Sequence, residues 1–476
     1  MKVGFANIYS WDPHLAYSKK IFKDLSGFVD CSYFFCGGMI GKCYDKIITN
    51  LRGLNCVKCQ TKQMFVFGIN NSLVPNLRQA SDNYEFDVSS TIASALRMDS
   101  YNKPKEYEYL QKELLKSCNI IASKFRNWLH REKIQLLIIY NGRFDFTKVL
   151  MDVACSEGIP VITHERSWFG TGVNLNWNKN CLSLKKFQRF NKNHHFPENI
   201  RHALAKILIA PRFDVSIKSN EWRTFKRRMY RRMDHFSSSK KNIVYFPSSP
   251  SEFLYEKELI NDFQSVEASI RLLKSRFESE NLIVKAHPIW GQRIRSLPKT
   301  DIDIRIKLLC DQLGVRYIPS SLHIDANEMI LLADLVVTSS SSTALQAGIL
   351  GKGIINLGLC EYSHAGFVRN VFNKEDLFSL DLEFFKDSEQ VTKKTLDFIY
   401  SMSFEKMHFS DKMYMLSSRK LEYKPTTIFS PDMLTEKFVT DDYRPRFNFP
   451  HNFDPDDEAI IKKFSIQDFM NFGNES

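Results

Sequence analysis

The sequence predicts an α/β protein of two lobes, each built around a doubly wound parallel sheet. Short apolar segments alternate with amphipathic segments over residues 2–164 and again over residues 242–357. Buried strands that alternate with helices indicate parallel sheets covered on both faces. The chain has 476 residues, which is more than one ordinary core accommodates, and chains of that size divide into domains.

The first lobe is predicted to contain strands over residues 2–8, 32–35, 135–140 and 161–164. A long helix is predicted just before the third strand, over residues 107–132. Its apolar residues recur three or four positions apart, as expected of an amphipathic helix packed on a sheet. These residues are Leu110, Leu114, Cys118, Ile121, Phe125 and Leu129.

The second lobe repeats the alternation with a larger number of elements. Its strands are predicted over residues 242–246, 282–286, 315–318, 335–337 and 354–357. The helices between them are predicted over residues 265–278, 302–313, 327–333 and 344–350. Ligands of such sheets bind at the carboxyl ends of the strands, so we expect a site in the cleft between the two lobes.

The domain boundaries follow from these patterns. The first lobe is assigned to residues 1–217 and the second to residues 242–398, with a polar and basic connection over residues 218–241. Residues 399–476 are predicted to be a helical and extended tail that packs back across the lobes. Its extended part contains three evenly spaced prolines, Pro445, Pro450 and Pro455.

The composition predicts a protein that stays in the cytoplasm. No apolar run approaches the roughly 18 residues that a membrane span needs. The N-terminus moves directly into a strand without the apolar core of a signal peptide. The ten cysteines are scattered without a zinc-like arrangement, which favours reduced thiols over disulfides or a metal site.

The charge predicts attraction to anions, because the net charge is +12 and the isoelectric point is near 9.0. Charge peaks between Arg223 and Arg232, where basic residues interleave with aromatic ones on a predicted helix. Three interpretations are open. The segment is a solvated basic helix between the lobes, a patch that rests on anionic lipid headgroups, or a nucleic-acid-binding surface.

A hydroxyl-rich turn in the second lobe is the most informative segment of the chain. Every residue from Thr338 to Thr343 carries a hydroxyl, and the turn joins a buried strand to a short helix. Unpaired backbone N–H groups and the positive end of the helix dipole favour an anion there, which predicts a phosphate site. The alternative is that these hydroxyls only cap the helix.

A second pattern, Lys285-Ala286-His287-Pro288, ends another strand of the same lobe. A histidine fixed by a following proline at a strand's carboxyl end is placed to contact a phosphate or a leaving-group oxygen. The alternative is a structural histidine.

Two neighbouring strands of the first lobe also end in polar residues. Arginines there suit a carboxylated or phosphorylated ligand, and a carboxylate suits a general base or a nucleophile. A structural network at the sheet edge is the alternative. The residues concerned are Asn141, Arg143, Asp145, His164, Glu165 and Arg166.

The ordered motifs at 285–288, 333–348 and 351–358 resemble the donor half of the bacterial capsule polysaccharide transferases. That group includes Kdo (3-deoxy-manno-octulosonic acid) transferases and shares its HP and SS/ST motifs with bacterial sialyltransferases. The resemblance covers residues 242–365, and the first-lobe motifs at 141–143 and 164–166 resemble the acceptor lobes of the same group. It implies a GT-B fold, with two Rossmann-like lobes facing a central cleft, and a CMP-activated sugar as donor.

The resemblance also implies roles for individual residues. His287 would contact the nucleotide and its phosphate together with Ser341, Ser342 and Thr343, with Ser339 and Ser340 as neighbours. Gln346 stands where many GT-B enzymes have glutamate. The implied donor site comprises Ser248, Ser249, Lys285, His287, Pro288, Ser339, Ser340, Ser341, Ser342, Thr343 and Gln346. The implied acceptor site comprises Asn141, Arg143, His164 and Arg166, with Glu165, Asp145 and His287 as candidate catalytic groups.

The predicted function is therefore metal-independent transfer of Kdo or a related acidic sugar from a CMP donor to a growing surface polysaccharide or glycolipid. No cofactor beyond the donor substrate is expected, and no Asp-x-Asp metal signature follows a strand of the second lobe. Other classes stay open. They are a CDP-polyol phosphotransferase of the teichoic-acid type, a sugar-nucleotide epimerase and a nucleic-acid-binding protein, although nucleic acid is not the expected partner.

Overall fold

The computed structural model describes residues 1–11, 14–38, 40–49, 54–67, 85–98, 100–168, 173–184, 197–213, 235–249, 251, 254–255, 262–263, 265–290, 302–322, 324–382, 387–407 and 429–440. Two sheets, each covered by helices, form two α/β lobes. The predicted fold class is confirmed. No helix among the described residues is long and apolar enough to cross a membrane.

The first lobe contains a five-stranded sheet in the order β2-β1-β3-β4-β5. The strands are β1 (Lys2–Ala6), β2 (Asp30–Phe34), β3 (Leu136–Tyr140), β4 (Val161–Arg166) and β5 (Val173–Trp177). The first four are parallel and β5 pairs antiparallel with β4. Its helices are α1 (His14–Leu25), α2 (Tyr44–Thr49), α3 (Leu54–Phe67), α4 (Ser89–Leu96), α5 (Glu106–Glu132) and α6 (Asp145–Ser156).

Helix α5 packs directly against the centre of this sheet. Trp128 is fully buried and lies over β1, where a side chain at Gly4 would approach its ring to 2.7 Å. Glycine at position 4 therefore sets the distance between helix and strand. The predicted helical periodicity is confirmed, because all six residues that define it, Leu110, Leu114, Cys118, Ile121, Phe125 and Leu129, are buried.

The second lobe contains a six-stranded parallel sheet in the order β8-β7-β6-β9-β10-β11. The strands are β6 (Asn242–Phe246), β7 (Asn281–Lys285), β8 (Arg316–Ile318), β9 (Leu335–Thr338), β10 (Gly353–Leu357) and β11 (Arg369–Val371). The helices are α8 (Val266–Arg276), α9 (Ile302–Leu313), α10 (Ala326–Leu332), α11 (Thr343–Ile349), α12 (Lys374–Phe378) and α13 (Ser388–Tyr400). This strand order is that of the Rossmann fold, in which the order reverses between the first and fourth strands. The reversal here lies between β6 and β9.

The chain crosses between the lobes at both ends of the second domain. Helix α7 (Glu198–Ile209) packs on α13, where Arg201 contacts Asp397 at 2.8 Å. The assignment of residues 1–217 to the first lobe stays a prediction. Helix α7 lies within that range and packs with the hydrophobic core of the second lobe. The short helix α14 (Glu436–Thr440) returns to β5, and Phe429 is buried in the first core.

Two predicted segments lie outside the described residues. They are the basic residues between Arg223 and Arg232 and the extended segment that contains Pro445, Pro450 and Pro455.

Candidate active site

The two lobes meet through residues that follow the carboxyl ends of their strands. Ser94 on α4 donates a hydrogen bond to the carbonyl of Ser251, which follows β6, at 3.3 Å. Trp168 follows β4, and its ring lies 6.1 Å from that of Tyr362, which follows β10. The carboxyl edges of the two sheets therefore face each other, and this is the edge at which open α/β sheets bind their ligands.

The hydroxyl-rich turn after β9 lies at the reversal point of the second sheet. The Ser339 hydroxyl lies 2.8 Å from the hydroxyl of Tyr245 on β6. Ser340 has a left-handed backbone with φ of +56°, and its N–H donates to the side-chain oxygen of Asn356 on β10 at 3.1 Å. A left-handed conformation is unusual for a residue other than glycine. Side chains of both neighbouring strands thus fix the path of this turn.

The last hydroxyls of the turn divide between two roles. The Ser341 hydroxyl accepts from the Thr343 N–H at 3.3 Å and lies 3.0 Å from the Thr343 hydroxyl, so it stabilises the start of α11. The Ser342 side chain makes no cap hydrogen bond. Its hydroxyl instead accepts from the guanidinium of Arg212 at 2.9 Å. The capping interpretation therefore fits Ser341, whereas Ser342 faces a cation.

Arg212 ends a short 3-10 helix, Ala210–Arg212, that follows α7. Its carbonyl accepts a hydrogen bond from Asn327 on α10 at 3.0 Å, which fixes the backbone beside the turn. A guanidinium is always charged and recognises phosphate through paired N–H donors. Arg212 and the turn together therefore place a cation and several hydroxyls at one end of α11.

His287 lies in a turn that follows β7, the neighbour of β6. The N–H of Ile289 donates to its Nδ1 at 3.3 Å, and the N–H of Trp290 donates to its carbonyl at 3.0 Å. The imidazole and Pro288 are partly exposed at the carboxyl edge. The turn thus holds His287 at the edge that faces the other lobe.

The Lys285 ammonium is less accessible to a ligand than its position at the end of β7 suggests. Its ammonium donates to the carbonyls of Ala286 at 3.3 Å and Pro319 at 3.4 Å. Burial lowers the pKa of Lys285 to about 8, and the nearby Asp303 carboxylate opposes that shift. The lysine is held against the sheet edge by backbone oxygens.

The remaining predicted donor residues differ in accessibility. Ser248 is half-buried, whereas Ser249 is buried and its hydroxyl lies 3.0 Å from that of Ser251. The Gln346 amide donates to the side-chain oxygen of Asn327 at 2.7 Å and so joins α11 to α10.

In the first lobe, Asn141 and Glu165 are brought together as the sequence predicts. Asn141 and Gly142 are both left-handed, with φ of +65° and +71°, so the chain turns sharply at the end of β3. A side chain at Gly142 would lie 2.8 Å from Thr163 on β4, so the close approach requires glycine. The Asn141 amide donates to Glu165 Oε2 at 2.9 Å.

His14 joins this pair from a distant part of the sequence. It begins α1, and its ring lies 4.1 Å from the ring of Tyr140 at a tilt of 32°. Its Nδ1 lies 3.3 Å from Glu165 Oε1. The Glu165 side chain is 23% exposed and lies at the facing edge of the sheet.

Asp145 lies inside the lobe and is only 1% exposed. Its carboxyl group accepts from the hydroxyl of Tyr9 and from the Tyr44 N–H, the latter at 3.0 Å. Burial raises the pKa of Asp145 to about 6, although these hydrogen bonds oppose the shift. The contacts describe a carboxyl group that anchors the loop before α2.

Three other predicted acceptor residues are held within the lobe to different degrees. Arg143 is 7% exposed and donates to Ser90 at 3.1 Å and to Ser94 at 3.2 Å. His164 is fully buried beside Ser18 at 2.8 Å, and burial lowers its pKa to about 3. Arg166 is partly exposed at the end of β4.

Among the described residues, no group of three His, Cys, Asp or Glu side chains is arranged to hold a metal ion.

Comparisons with known proteins give remote structural likenesses. No family model and no curated protein matches the chain. Two transferase structures are similar. The beta Kdo 2,4 transferase of Thermosulfurimonas dismutans KpsC has 12% sequence identity and a TM-score of 0.34. The match covers 57% of this chain and 79% of the transferase chain. The beta Kdo 2,7 transferase of the same protein has 11% identity and a TM-score of 0.36, and covers 63% and 85%.

A UDP-GlcNAc 2-epimerase from Neisseria meningitidis, bound to UDP-GlcNAc, is also similar. It has 13% identity and a TM-score of 0.31, and covers 85% of this chain and 97% of its own. Likenesses at these TM-scores carry no argument for a shared activity.

Two residues of the site, His14 and Arg212, are not predicted from the sequence. His14 lies 151 positions before Glu165, and Arg212 lies 130 positions before Ser342. Neither belongs to a recognisable motif. The sequence signal that was available for Arg212 is its place near the end of an amphipathic segment, which does not indicate a ligand.

Proposed function

We propose that the protein is a glycosyltransferase that transfers an acidic sugar of the Kdo type from a CMP-activated donor to a growing surface polysaccharide or glycolipid. One observation carries the proposal. The carboxyl edges of the two sheets face each other, with a partly exposed carboxylate, Glu165, on one edge and a cation, Arg212 beside Ser342, on the other. The carboxylate can take the proton of an acceptor hydroxyl, and the cation can stabilise a leaving phosphate.

The donor would bind at the reversal point of the second sheet. Arg212 and Ser342 would contact the phosphate, while His287 would donate to the phosphate oxygen from the neighbouring strand. Hydrogen-bond donors aimed at a developing negative charge lower the barrier most effectively when they are fixed in advance. The hydrogen bonds that fix Ser340 and Arg212 supply that rigidity.

Glu165 is the preferred reacting carboxylate, because Asp145 is enclosed by Tyr9 and Tyr44. In a single displacement, Glu165 takes the proton of the acceptor hydroxyl as that oxygen bonds to the anomeric carbon of the donor. The bond from that carbon to the phosphate oxygen breaks, and its electron pair leaves with CMP. In a two-step route, the Glu165 carboxylate attacks the anomeric carbon first and CMP leaves with the electron pair of the broken bond. The acceptor oxygen then displaces the Glu165 carboxylate, and the acceptor proton passes to the CMP phosphate oxygen or to water.

A donor screen tests the proposal. The protein is incubated separately with CMP-Kdo, CMP-sialic acid, CDP-glycerol and UDP-GlcNAc, and released nucleotide is measured. Release of CMP from CMP-Kdo or CMP-sialic acid supports it. Release of CMP from CDP-glycerol indicates a polyol phosphotransferase, and reaction with UDP-GlcNAc alone indicates an epimerase or another transferase. No release from any donor, together with salt-dependent binding of RNA or DNA, would overturn the proposal.

Glu165→Gln provides the matched variant. It keeps the size of the side chain and removes its charge, so turnover should fall by at least about a hundredfold while CMP still binds. Glu436→Gln, on the exposed surface of α14, is the control. Full turnover in Glu165→Gln would place the reacting carboxylate elsewhere.

The acceptor and the location in the cell belong to the same proposal. A cytoplasmic enzyme that elongates a glycolipid would work at the inner membrane surface, where a basic segment between Arg223 and Arg232 would attract anionic lipids. Sedimentation with vesicles containing phosphatidylglycerol, compared with phosphatidylcholine alone, measures that attraction.

A further inference from the structure

The contact between His14 and Glu165 has a geometry that suits a charge-dependent interaction. The Nδ1 to Oε1 distance of 3.3 Å is an ion-pair distance rather than that of a well-aligned hydrogen bond. Both side chains are partly buried, at 14% and 23% exposure. Helix α1 packs against β3 and β4, and the ring of Tyr140 supports the imidazole at 4.1 Å. The position of His14 is therefore fixed by packing.

The Glu165 carboxylate has three contacts among the described residues. Oε2 accepts from the Asn141 amide at 2.9 Å, and Oε1 accepts from the Arg166 N–H at 3.0 Å and lies beside His14. An ionised carboxylate has about four acceptor positions on its two oxygens. These contacts orient the group and leave room for one more donor, such as a substrate hydroxyl.

The other ionisable groups that the structure describes beside the pair keep one charge state near neutral pH. They are Tyr140 on β3 and His164 and Arg166 on β4. Burial raises the pKa of the Tyr140 hydroxyl well above its usual value, and burial lowers the pKa of His164 to about 3. Tyr140 and His164 are therefore uncharged and Arg166 is positive. An imidazole ordinarily changes charge near neutral pH, so the His14 ring is the member of this pair that a pH change would alter.

We infer that His14 is a positioning residue for Glu165, and that its protonated ring holds Oε1 while Asn141 holds Oε2. This inference rests on the proposed function, because it assigns Glu165 the reacting role. It adds a pH dependence to that site. Deprotonation of His14 removes one of the contacts on the carboxylate, so turnover should fall as pH rises through the titration of the His14 ring.

The kinetic test uses the nucleotide donor that the wild type turns over best. His14→Ala should lower kcat by about ten- to a hundredfold, since a misplaced catalytic group costs up to that much. The KM for the donor should stay within about twofold, because the donor binds to the other lobe. His14→Asn, which keeps a neutral donor near the position of Nδ1, should recover part of the lost kcat. In the pH profile of kcat for His14→Asn, the decrease at alkaline pH (the alkaline limb) should be absent.

His130→Asn is the matched control. His130 also pairs with a glutamate, Glu157, at 2.6 Å, but it lies at the end of α5 and is 61% exposed. Its kcat and pH profile should equal those of the wild type. The inference is overturned if His14→Ala keeps kcat within about twofold, if the alkaline limb persists in His14→Asn, or if CMP affinity measured by calorimetry falls together with kcat.

A second measurement separates this inference from the proposed function. In protein labelled with ¹³C at the histidine rings, Glu165→Gln should move the His14 titration midpoint to lower pH by about one unit or more, because an opposite charge within about 4 Å favours the protonated ring. An unchanged midpoint refutes the pair whatever the enzyme does. A shifted midpoint in a protein that turns over no donor confirms the pair and refutes the assigned reaction.

Discussion

The buried carboxyl group of Asp145 should make the stability of the first lobe depend on pH. Burial raises its pKa from 3.8 to about 6, so the folded state binds the proton more tightly than the unfolded state does. The stabilisation is therefore fully present below about pH 4 and is lost as pH rises through about 6. At about 1.4 kcal/mol per pH unit, the full difference is about 3 kcal/mol.

This difference in folding stability is best measured between neutral and mildly acidic pH. Lowering the pH from about 7 to about 5 should stabilise the folded state by about 1 kcal/mol through this group alone. For a lobe of this size, that corresponds to a rise in Tm of about 2 to 4 °C. Asp145→Asn should remove the dependence. Its amide oxygen can accept from the Tyr44 N–H while its amide nitrogen donates to the Tyr9 hydroxyl.

The assay compares thermal melts of the wild type, Asp145→Asn and Asp152→Asn at both pH values. Asp152 lies on the same helix, is 37% exposed and pairs with Lys148 at 2.8 Å, so it controls for the loss of a surface charge. When the pH falls from about 7 to about 5, the Tm of the Asp152→Asn control should rise more than the Tm of Asp145→Asn. An equal change of Tm with pH in all three proteins would refute the buried-carboxyl argument and restore Asp145 as a candidate base.

Three further predictions concern the donor side. Arg212→Ala and Ser342→Ala should each weaken CMP binding by about ten- to a hundredfold in calorimetry, since a hydrogen bond to a charged group contributes about 1.5 to 3 kcal/mol; Ser237→Ala, at an exposed turn before β6, should leave CMP binding unchanged. His287→Ala should weaken CMP binding by a similar factor without lowering Tm, and unchanged affinity would remove His287 from the site. Nucleotide release should survive EDTA, whereas loss that magnesium or manganese restores would reveal a metal requirement.

The secondary structure could be predicted because it depends on local patterns. Helix α9 occupies Ile302–Leu313, as its 3.6-residue periodicity predicts, and β6 occupies Asn242–Phe246, as its apolar run predicts. Strand β5 was not predicted. Its sequence, Val-Asn-Leu-Asn-Trp, alternates as an antiparallel edge strand should, but it begins at Val173, too soon after the end of β4 at Arg166 for a crossover helix, and so falls outside a βαβ pattern.

The site could be predicted only where its residues follow strands that are neighbours in the sheet. Asn141 follows β3 and Glu165 lies at the end of β4, and adjacent parallel strands place their ends together, which is why the sequence pattern predicts that these two residues are close. His14 reaches the same carboxylate from α1, and Arg212 reaches Ser342 after α7 crosses to the other lobe. Those contacts depend on how whole helices pack, and local sequence patterns do not predict that packing.

Asp145 and Glu165 have similar positions in the sequence, but packing gives their carboxylates different environments. Each lies at or near the end of a buried strand, and each is next to or near an arginine. Asp145 begins α6, where Tyr9 and the Tyr44 backbone enclose it, so water and substrate are excluded and its charge is penalised. Glu165 ends β4 at the facing edge, where Asn141 orients one oxygen and part of the group stays open. A general base must reach its proton, so the greater exposure of Glu165 is the reason to propose it rather than Asp145 as the base.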